Sequence, residues 1–326
     1  MPSTALWRQL QRHNFTDWQT LLSFLELNTQ TAKVSSPFPL NLPFRLASKI
    51  KKKSWEDPVL LQFLPSLEEG KHSPLFVLDP VADTQFQKTP KLLHKYLGRA
   101  LLLCTSACAM HCRYCFRRHY DYETSKRQFE EELKEIEKDT SLSEILLSGG
   151  DPLSLGDTQL ENLLAALGDI PHVKRIRFHT RFPIGIPERI DPSFLKLLSS
   201  CKKQILFVLH TNHANELDAE IFERLKQIQK LGVPVLSQSV LLKGVNDTVE
   251  ALQALFETLI DHGILPYYLH QLDRVQGAAH FEVSEEEGKK LMRELQKRLP
   301  GYAVPKYVKE EAHQPHKSMI TFSQVF

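Results

Sequence analysis

Ala100-Leu101-Leu102-Leu103-Cys104, followed after three residues by Cys108-Ala109-Met110-His111-Cys112-Arg113-Tyr114-Cys115, is an apolar run feeding a loop with cysteines spaced C-x-x-x-C-x-x-C. The run is long enough for one buried strand, and the loop can present three thiolates together. Iron–sulfur clusters usually take four, so a set of three reserves one iron for another ligand. A structural Cys3His zinc completed by His111 or His119 is the competing reading. The spacing is too uneven for paired zinc knuckles. Cys104 and Cys201 bring the total to five, an odd number that argues against a disulfide framework in a chain without secretory features.

Outward from this loop, strand and helix alternate. Residues 100–105, 144–148, 173–179, 204–210, 233–240 and 265–271 read as buried strands, and the spacing predicts helices over 128–138, 157–167, 192–200, 215–231 and 248–262. Such repetition builds a parallel sheet with right-handed crossovers. Six units are fewer than the eight of a closed barrel, so the expected fold is α/β, an open six-stranded partial (β/α)6 barrel. Residues 1–92, with helical spacing over 7–27, form a helical N-terminal extension in this reading. The core spans 93–300, and residues 301–326, after a helix over 284–298, form a C-terminal tail.

Composition excludes several classes. Of 326 residues, 42% are hydrophobic and 25% charged, as in ordinary globular proteins. Basic and acidic side chains, 41 against 39, leave a net charge of +2 and no global field for nucleic acid or anionic membrane. Lys49 and Lys51 to Lys53 form a basic run that reads as a solvated face. No apolar run approaches the roughly 20 residues that cross a bilayer, and the polar start lacks a signal-peptide core. A thiolate cluster with an open iron needs reducing surroundings, so a cytoplasmic location is expected.

Chemistry in such sheets gathers where strands lead into helices. Ser148-Gly149-Gly150-Asp151-Pro152 follows the second strand, His179-Thr180-Arg181 the third and His210-Thr211-Asn212-His213 the fourth. Gln238 lies late in the fifth and Asp273 just past the sixth. The paired glycines allow backbone to approach a ligand closely.

The three cysteines, with Tyr114 before the last, resemble the signature of radical S-adenosylmethionine enzymes. With Phe116-Arg117-Arg118-His119, Ser148-Gly-Gly-Asp-Pro-Leu153, His213-Ala-Asn-Glu216, Gln238-Ser-Val-Leu-Leu-Lys-Gly-Val-Asn-Asp247 and Pro266-Tyr-Tyr-Leu-His270, residues 93–317 resemble the lysine 2,3-aminomutase family. His94-Lys95-Tyr96, Val275-Gln-Gly-Ala-Ala-His-Phe281 and the short C-terminus are most similar to its branch in elongation factor P β-lysylation.

The resemblance implies a [4Fe-4S] cluster on Cys108, Cys112 and Cys115, with S-adenosylmethionine on the open iron. Ser148, Gly149 and Gly150 would hold its methionine amino group, and Gln238 would lie near its adenosine. Lys317 would carry pyridoxal 5′-phosphate, with Lys95 and Tyr96 as further cofactor contacts. Arg117 would clamp the substrate α-carboxylate, and Arg118 reads as a surface salt-bridge former. Asp273 and Glu310 would hold the substrate ε-ammonium, favouring lysine over glutamate.

The implied reaction is migration of the amino group of L-α-lysine from C2 to C3, giving β-lysine. Implied partners are free lysine, an electron donor such as flavodoxin or ferredoxin, and a functional link to elongation factor P and its lysine ligase. A homo-oligomer is compatible; nucleic acid and membrane are not expected. The sequence departs from the family in three ways: Glu310 stands where an aspartate is usual, Ala312-His313-Gln314 replaces a glycine-rich approach to Lys317, and no cysteine follows Cys201, so no inter-subunit zinc is expected. Cys104 and Cys201 read as small buried hydrophobes. Two other readings remain: a free-standing catabolic or osmolyte-producing lysine or glutamate aminomutase, and a zinc-stabilised nucleic-acid-binding module.

Overall fold

The computed structural model describes residues 5–31, 34, 37–123 and 128–322. Residues 1–4 and 323–326 of the two expected terminal segments lie outside that set.

Ten strands form one sheet whose spatial order is the chain order. They are β1 (Gln87–Thr89), β2 (Leu92–Tyr96), β3 (Arg99–Leu103), β4 (Glu144–Ser148), β5 (Arg175–Thr180), β6 (Gln204–His210), β7 (Val235–Val240), β8 (Leu265–His270), β9 (Lys306–Lys309) and β10 (Ser318–Met319). From β3 to β9 every neighbouring pair is parallel, while β1, β2 and β10 add antiparallel edges. The sheet therefore runs past both ends of the 93–300 core expected from sequence. The extra strands are short, and β2 reads Leu-Leu-His-Lys-Tyr, a half-polar run with no buried-strand signature.

Helices α1 (Leu6–Gln11), α2 (Trp18–Phe24), α3 (Phe44–Lys49) and α4 (Pro58–Leu61) precede the sheet. The helices α5 (Glu130–Lys138), α6 (Asp157–Asp169), α7 (Phe182–Gly185), α8 (Pro192–Ser200), α9 (Ala219–Lys230), α10 (Val249–Asp261) and α11 (Glu285–Arg298) alternate with its strands. Each long helix buries one stripe: Leu160, Leu163, Leu164 and Leu167 in α6, and Leu252, Leu255, Phe256 and Leu259 in α10. Side-chain caps fix the starts of α8, α9 and α10. Asp191, Asp218 and Thr248 accept from the backbone amides of Phe194, Ile221 and Ala251 at 2.9, 3.0 and 3.2 Å.

The strands alternate faces with period two. Ile145 and Leu147 of β4, Ile176 and Phe178 of β5, and Phe207 and Leu209 of β6 are fully buried in the main core. Their neighbours Glu144, Leu146, Ser148, Arg177, His179, Leu206 and His210 line a central cavity instead. The inside of the curled sheet is thus a chamber lined by charged, polar and apolar side chains together.

The curl is visible in its ends. Lys95 and Tyr96 of β2 reach the carboxylate of Glu310, the residue after β9, although seven places separate the two strands in the sheet. The N-terminal extension has no separate core: Trp7, Leu21, Leu46 and Phe63 belong to the cluster that contains the outward faces of β4 to β6. Its first helical stretch, 7–27, is two helices rather than one. Asp17 breaks it and caps α2, accepting from the Thr20 amide at 2.8 Å.

Candidate active site

The cysteine loop leaves β3 at the C-terminal edge of the parallel strands and is clamped from two sides. From β4, the amides of Gly150 and Asp151 donate to the carbonyls of Thr105 and Ala107 at 2.6 and 2.8 Å. A Cβ on Gly150 would sit 2.3 Å from the Ala107 carbonyl oxygen, and Gly149 adopts φ +115° with the Thr105 carbonyl 2.7 Å from its missing Cβ. The paired glycines thus admit the cysteine loop itself, a close backbone approach the sequence had assigned to a ligand. From the extension, Asn14 donates to the Ala109 carbonyl at 2.8 Å, and the amides of His111 and Arg113 donate to the carbonyls of Asn41 and Gln62 at 2.9 Å.

Cys108, Cys112 and Cys115 all face the cavity. Burial, then Asp151 and the two other cysteines, hold the Cys108 thiol well above its ordinary value. Burial and Cys112 push Cys115 up to about 11. Loading such a site replaces S–H bonds by metal–sulfur bonds and releases the thiol protons to solvent. Among the described residues, no three His, Cys, Asp or Glu side chains are placed to hold one metal ion. Of the two histidines of the zinc reading, His111 Nδ1 meets the Pro39 carbonyl at 3.1 Å and His119 Nε2 the Gln276 carbonyl at 3.0 Å.

The cavity measures about 630 Å³. Its wall contains every site residue read from the sequence: the three cysteines, Lys95, Tyr96, Arg117, Ser148, Gly149, Gly150, Gln238, Asp273, Glu310 and Lys317. Arg117 is buried, with Nε donating to Asp83 at 2.7 Å and Nη1 lying 3.4 Å from Ser148 Oγ. Gly149 presents its carbonyl to the Tyr122 hydroxyl at 2.9 Å.

Glu310 collects three donors: Lys95 Nζ at 2.7 Å, the Tyr96 hydroxyl and Lys317 Nζ. Although burial opposes it, Lys317, then Lys95 and Tyr96, draw the Glu310 carboxyl down to about 2. Expected to meet a substrate ammonium, this acid here bonds the expected cofactor lysine and its two neighbours. Among the described residues Asp273 has no such partner. Burial, together with Glu310 and Asp83, lifts its carboxyl to about 7 against the pull of Lys317.

Arg118, expected at the surface, is buried instead. Its side chain is 2% exposed and bonds Glu69 at 2.5 Å and the Arg113 carbonyl at 2.8 Å. Glu69 draws Arg113 and Arg118 together from a 3-10 turn in the extension, a convergence that local sequence does not announce.

Other cavity groups went unassigned in the sequence. His179, His210 and His270 stand at the ends of β5, β6 and β8, with His210 Nε2 3.4 Å from His179 Nδ1. Burial keeps all three neutral, aided by Arg177 at His179, Arg181 at His210 and Lys317 at His270; His210 falls to about 3. Asp151 ties β4 to β5, accepting from Thr180 Oγ1 at 2.7 Å and the Arg181 and Phe182 amides at 2.8 and 3.0 Å. Position at strand ends was the available signal; their partners lie too far along the chain to be read.

A chamber inside a sheet of parallel strands, walled by a three-cysteine loop, agrees with the match of residues 102–256 to the radical SAM superfamily. Closer relatives narrow the class. The L-lysine 2,3-aminomutase of Escherichia coli is 41% identical over 325 residues, covering 97% of this chain and 95% of that protein. That of Haemophilus influenzae is 38% identical, with coverages of 96% and 95%, and that of Clostridium subterminale is 34% identical, with 77% and 61%. The chain belongs to the L-lysine 2,3-aminomutase family of radical SAM enzymes.

Proposed function

We propose that this chain converts L-α-lysine to β-lysine by 2,3-amino migration and supplies the product for modification of elongation factor P. One observation carries the reading: the cysteine loop, Lys317 and two candidate substrate-binding charges, Arg117 and Asp273, line a single cavity. Residues 93–300 act as a partial-barrel core, 1–92 as the extension bracing the cysteine loop and 301–326 as the tail carrying the cofactor lysine.

When bound, the cluster with S-adenosylmethionine supplies a carbon radical able to take an unactivated hydrogen, and pyridoxal phosphate supplies a conjugated system through which nitrogen can shift. The protein's share is binding and orientation. Arg117, its Nε anchored by Asp83, keeps other N–H groups for the substrate α-carboxylate. Asp273 accepts the ε-ammonium and opposes a glutamate side chain by like charge. Glu310 holds Lys317 Nζ and can accept its proton when that nitrogen must be neutral. The neutral histidines place no positive charge against the substrate ammonium. Ser148, Gly149 and Gly150, beside the cysteine loop, and Gln238 on the cavity wall would serve S-adenosylmethionine, while Lys95 and Tyr96 share the Glu310 carboxylate with Lys317.

The link to elongation factor P rests on His94-Lys95-Tyr96 and the 275–281 loop. A flavodoxin or ferredoxin as donor and a cytoplasmic setting belong to the same proposal. Purified, anaerobically reconstituted protein should form β-lysine from lysine and no β-glutamate from glutamate, and the elongation factor P ligase should accept the product. Absence of β-lysine with an intact cluster overturns the reading. A β-lysine the ligase refuses favours the free-standing enzyme.

A further inference from the structure

Arg181, the first residue after β5, is 6% exposed and spends its guanidinium on the cluster loop. Nη1 donates to Cys112 Sγ at 3.0 Å and to the Tyr114 hydroxyl. On the other side Nη2 donates to Gln62 Oε1 at 2.7 Å and to Glu216 Oε2 at 2.9 Å. Nε is buried without a partner.

The anchor behind this arginine is rigid. Glu216 is fully buried and accepts from Gln62 Nε2 at 2.9 Å, Thr211 Oγ1 at 3.1 Å and the amides of Asn212 and His213 at 3.1 and 3.0 Å. The Arg181 amide is itself held by Asp151 at 2.8 Å. Extension, β5 and β6 therefore converge to aim one cation at one of the three cysteines, with one carboxylate behind it.

Hydrogen bonds to sulfur and local charge set the potential of an iron–sulfur centre, because reduction adds negative charge that nearby donors stabilise. A guanidinium on a ligand sulfur favours the reduced state; a buried carboxylate at its back tempers that effect. We propose that Arg181 is a positioning residue that raises the reduction potential of the cluster through Cys112, and that Glu216 sets how far. The inference rests on the reading that the cysteines hold a cluster.

The test is potentiometric titration of the cluster's one-electron reduction, followed by electron paramagnetic resonance without S-adenosylmethionine or lysine. Wild type is compared with Arg181→Met, Arg181→Lys and Glu216→Gln, each reconstituted anaerobically with its iron and sulfide counted. Arg181→Met should make reduction at least tenfold less favourable, a shift of about 59 mV to lower potential for one electron. Arg181→Lys, which keeps the charge but not the fork, should fall between Met and wild type. Glu216→Gln should move the opposite way.

General damage to the loop would not produce opposite signs. Unmoved potentials in both arginine variants, or a shift of the same sign in Glu216→Gln as in Arg181→Met, overturn the proposal. If the Met variant loads no cluster, a Lys variant at the wild-type potential overturns it. A wild-type chain without iron and sulfide sinks the cluster reading itself, and is distinguishable from these outcomes.

Discussion

In the proposed reaction Asp273 is the residue whose charge state most directly controls substrate capture. Burial first of all raises its carboxyl to about 7. A bound ε-ammonium favours the carboxylate, so below about pH 7 binding must first expel a proton, and above it need not. Lysine affinity should therefore rise by up to tenfold per pH unit as pH climbs through 6, and flatten above 7; the pH dependence of lysine kcat/KM checks this. Asp273→Asn should abolish that dependence and cost about ten- to a hundredfold in lysine kcat/KM, the range for hydrogen bonds to charged groups. An unchanged slope in the variant would remove Asp273 from the ammonium site. At this scale the sequence names most of the wall, because short motifs carry it. It is silent on Asp83 and Gln62, and marks Arg181 only by its place after the third strand: the Arg181–Gln62 contact joins residues 119 positions apart, and only the folded chain creates it.

At the scale of elements, the cysteine loop is shaped by what presses on it. Gly150→Ala drives a methyl into the Ala107 carbonyl, at a cost of about 1–3 kcal/mol for overpacking, and should lower both iron per chain after reconstitution and the denaturation midpoint. Iron and midpoint at wild-type values would show the contact to be slack. Phe178, packed among Phe194 and Phe207 with ring centroids 6.2 Å apart in each case, carries the outer face of β5. Its replacement by Ala should cost about 3–5 kcal/mol, read from urea denaturation of the metal-free chain. The parallel strands and crossover helices were legible because their buried stripes are long; 144–148, 192–200 and 204–210 coincide with β4, α8 and β6. The short last strands, parallel β9 and the edge β10, were not. β9 spans four residues and β10 two, and pairing with the rest of the sheet rather than apolar pattern defines them.

For the whole molecule, the curl of the sheet brings together charges from opposite ends of the chain. Glu310, after β9, meets Lys95 and Tyr96 of β2 and Lys317 before β10, on the wall of the chamber that the cysteine loop also bounds. Two lysines thus share one carboxylate, Lys95 on Oε1 and Lys317 on Oε2, and only Lys317 is proposed to carry the cofactor. No helix among the described residues is long and apolar enough to cross a membrane. The most direct test is borohydride reduction of the chain loaded with pyridoxal phosphate, followed by peptide mass spectrometry. The phosphopyridoxyl adduct should lie on Lys317; an adduct on Lys95, or none on Lys317 at full loading, would contradict the account.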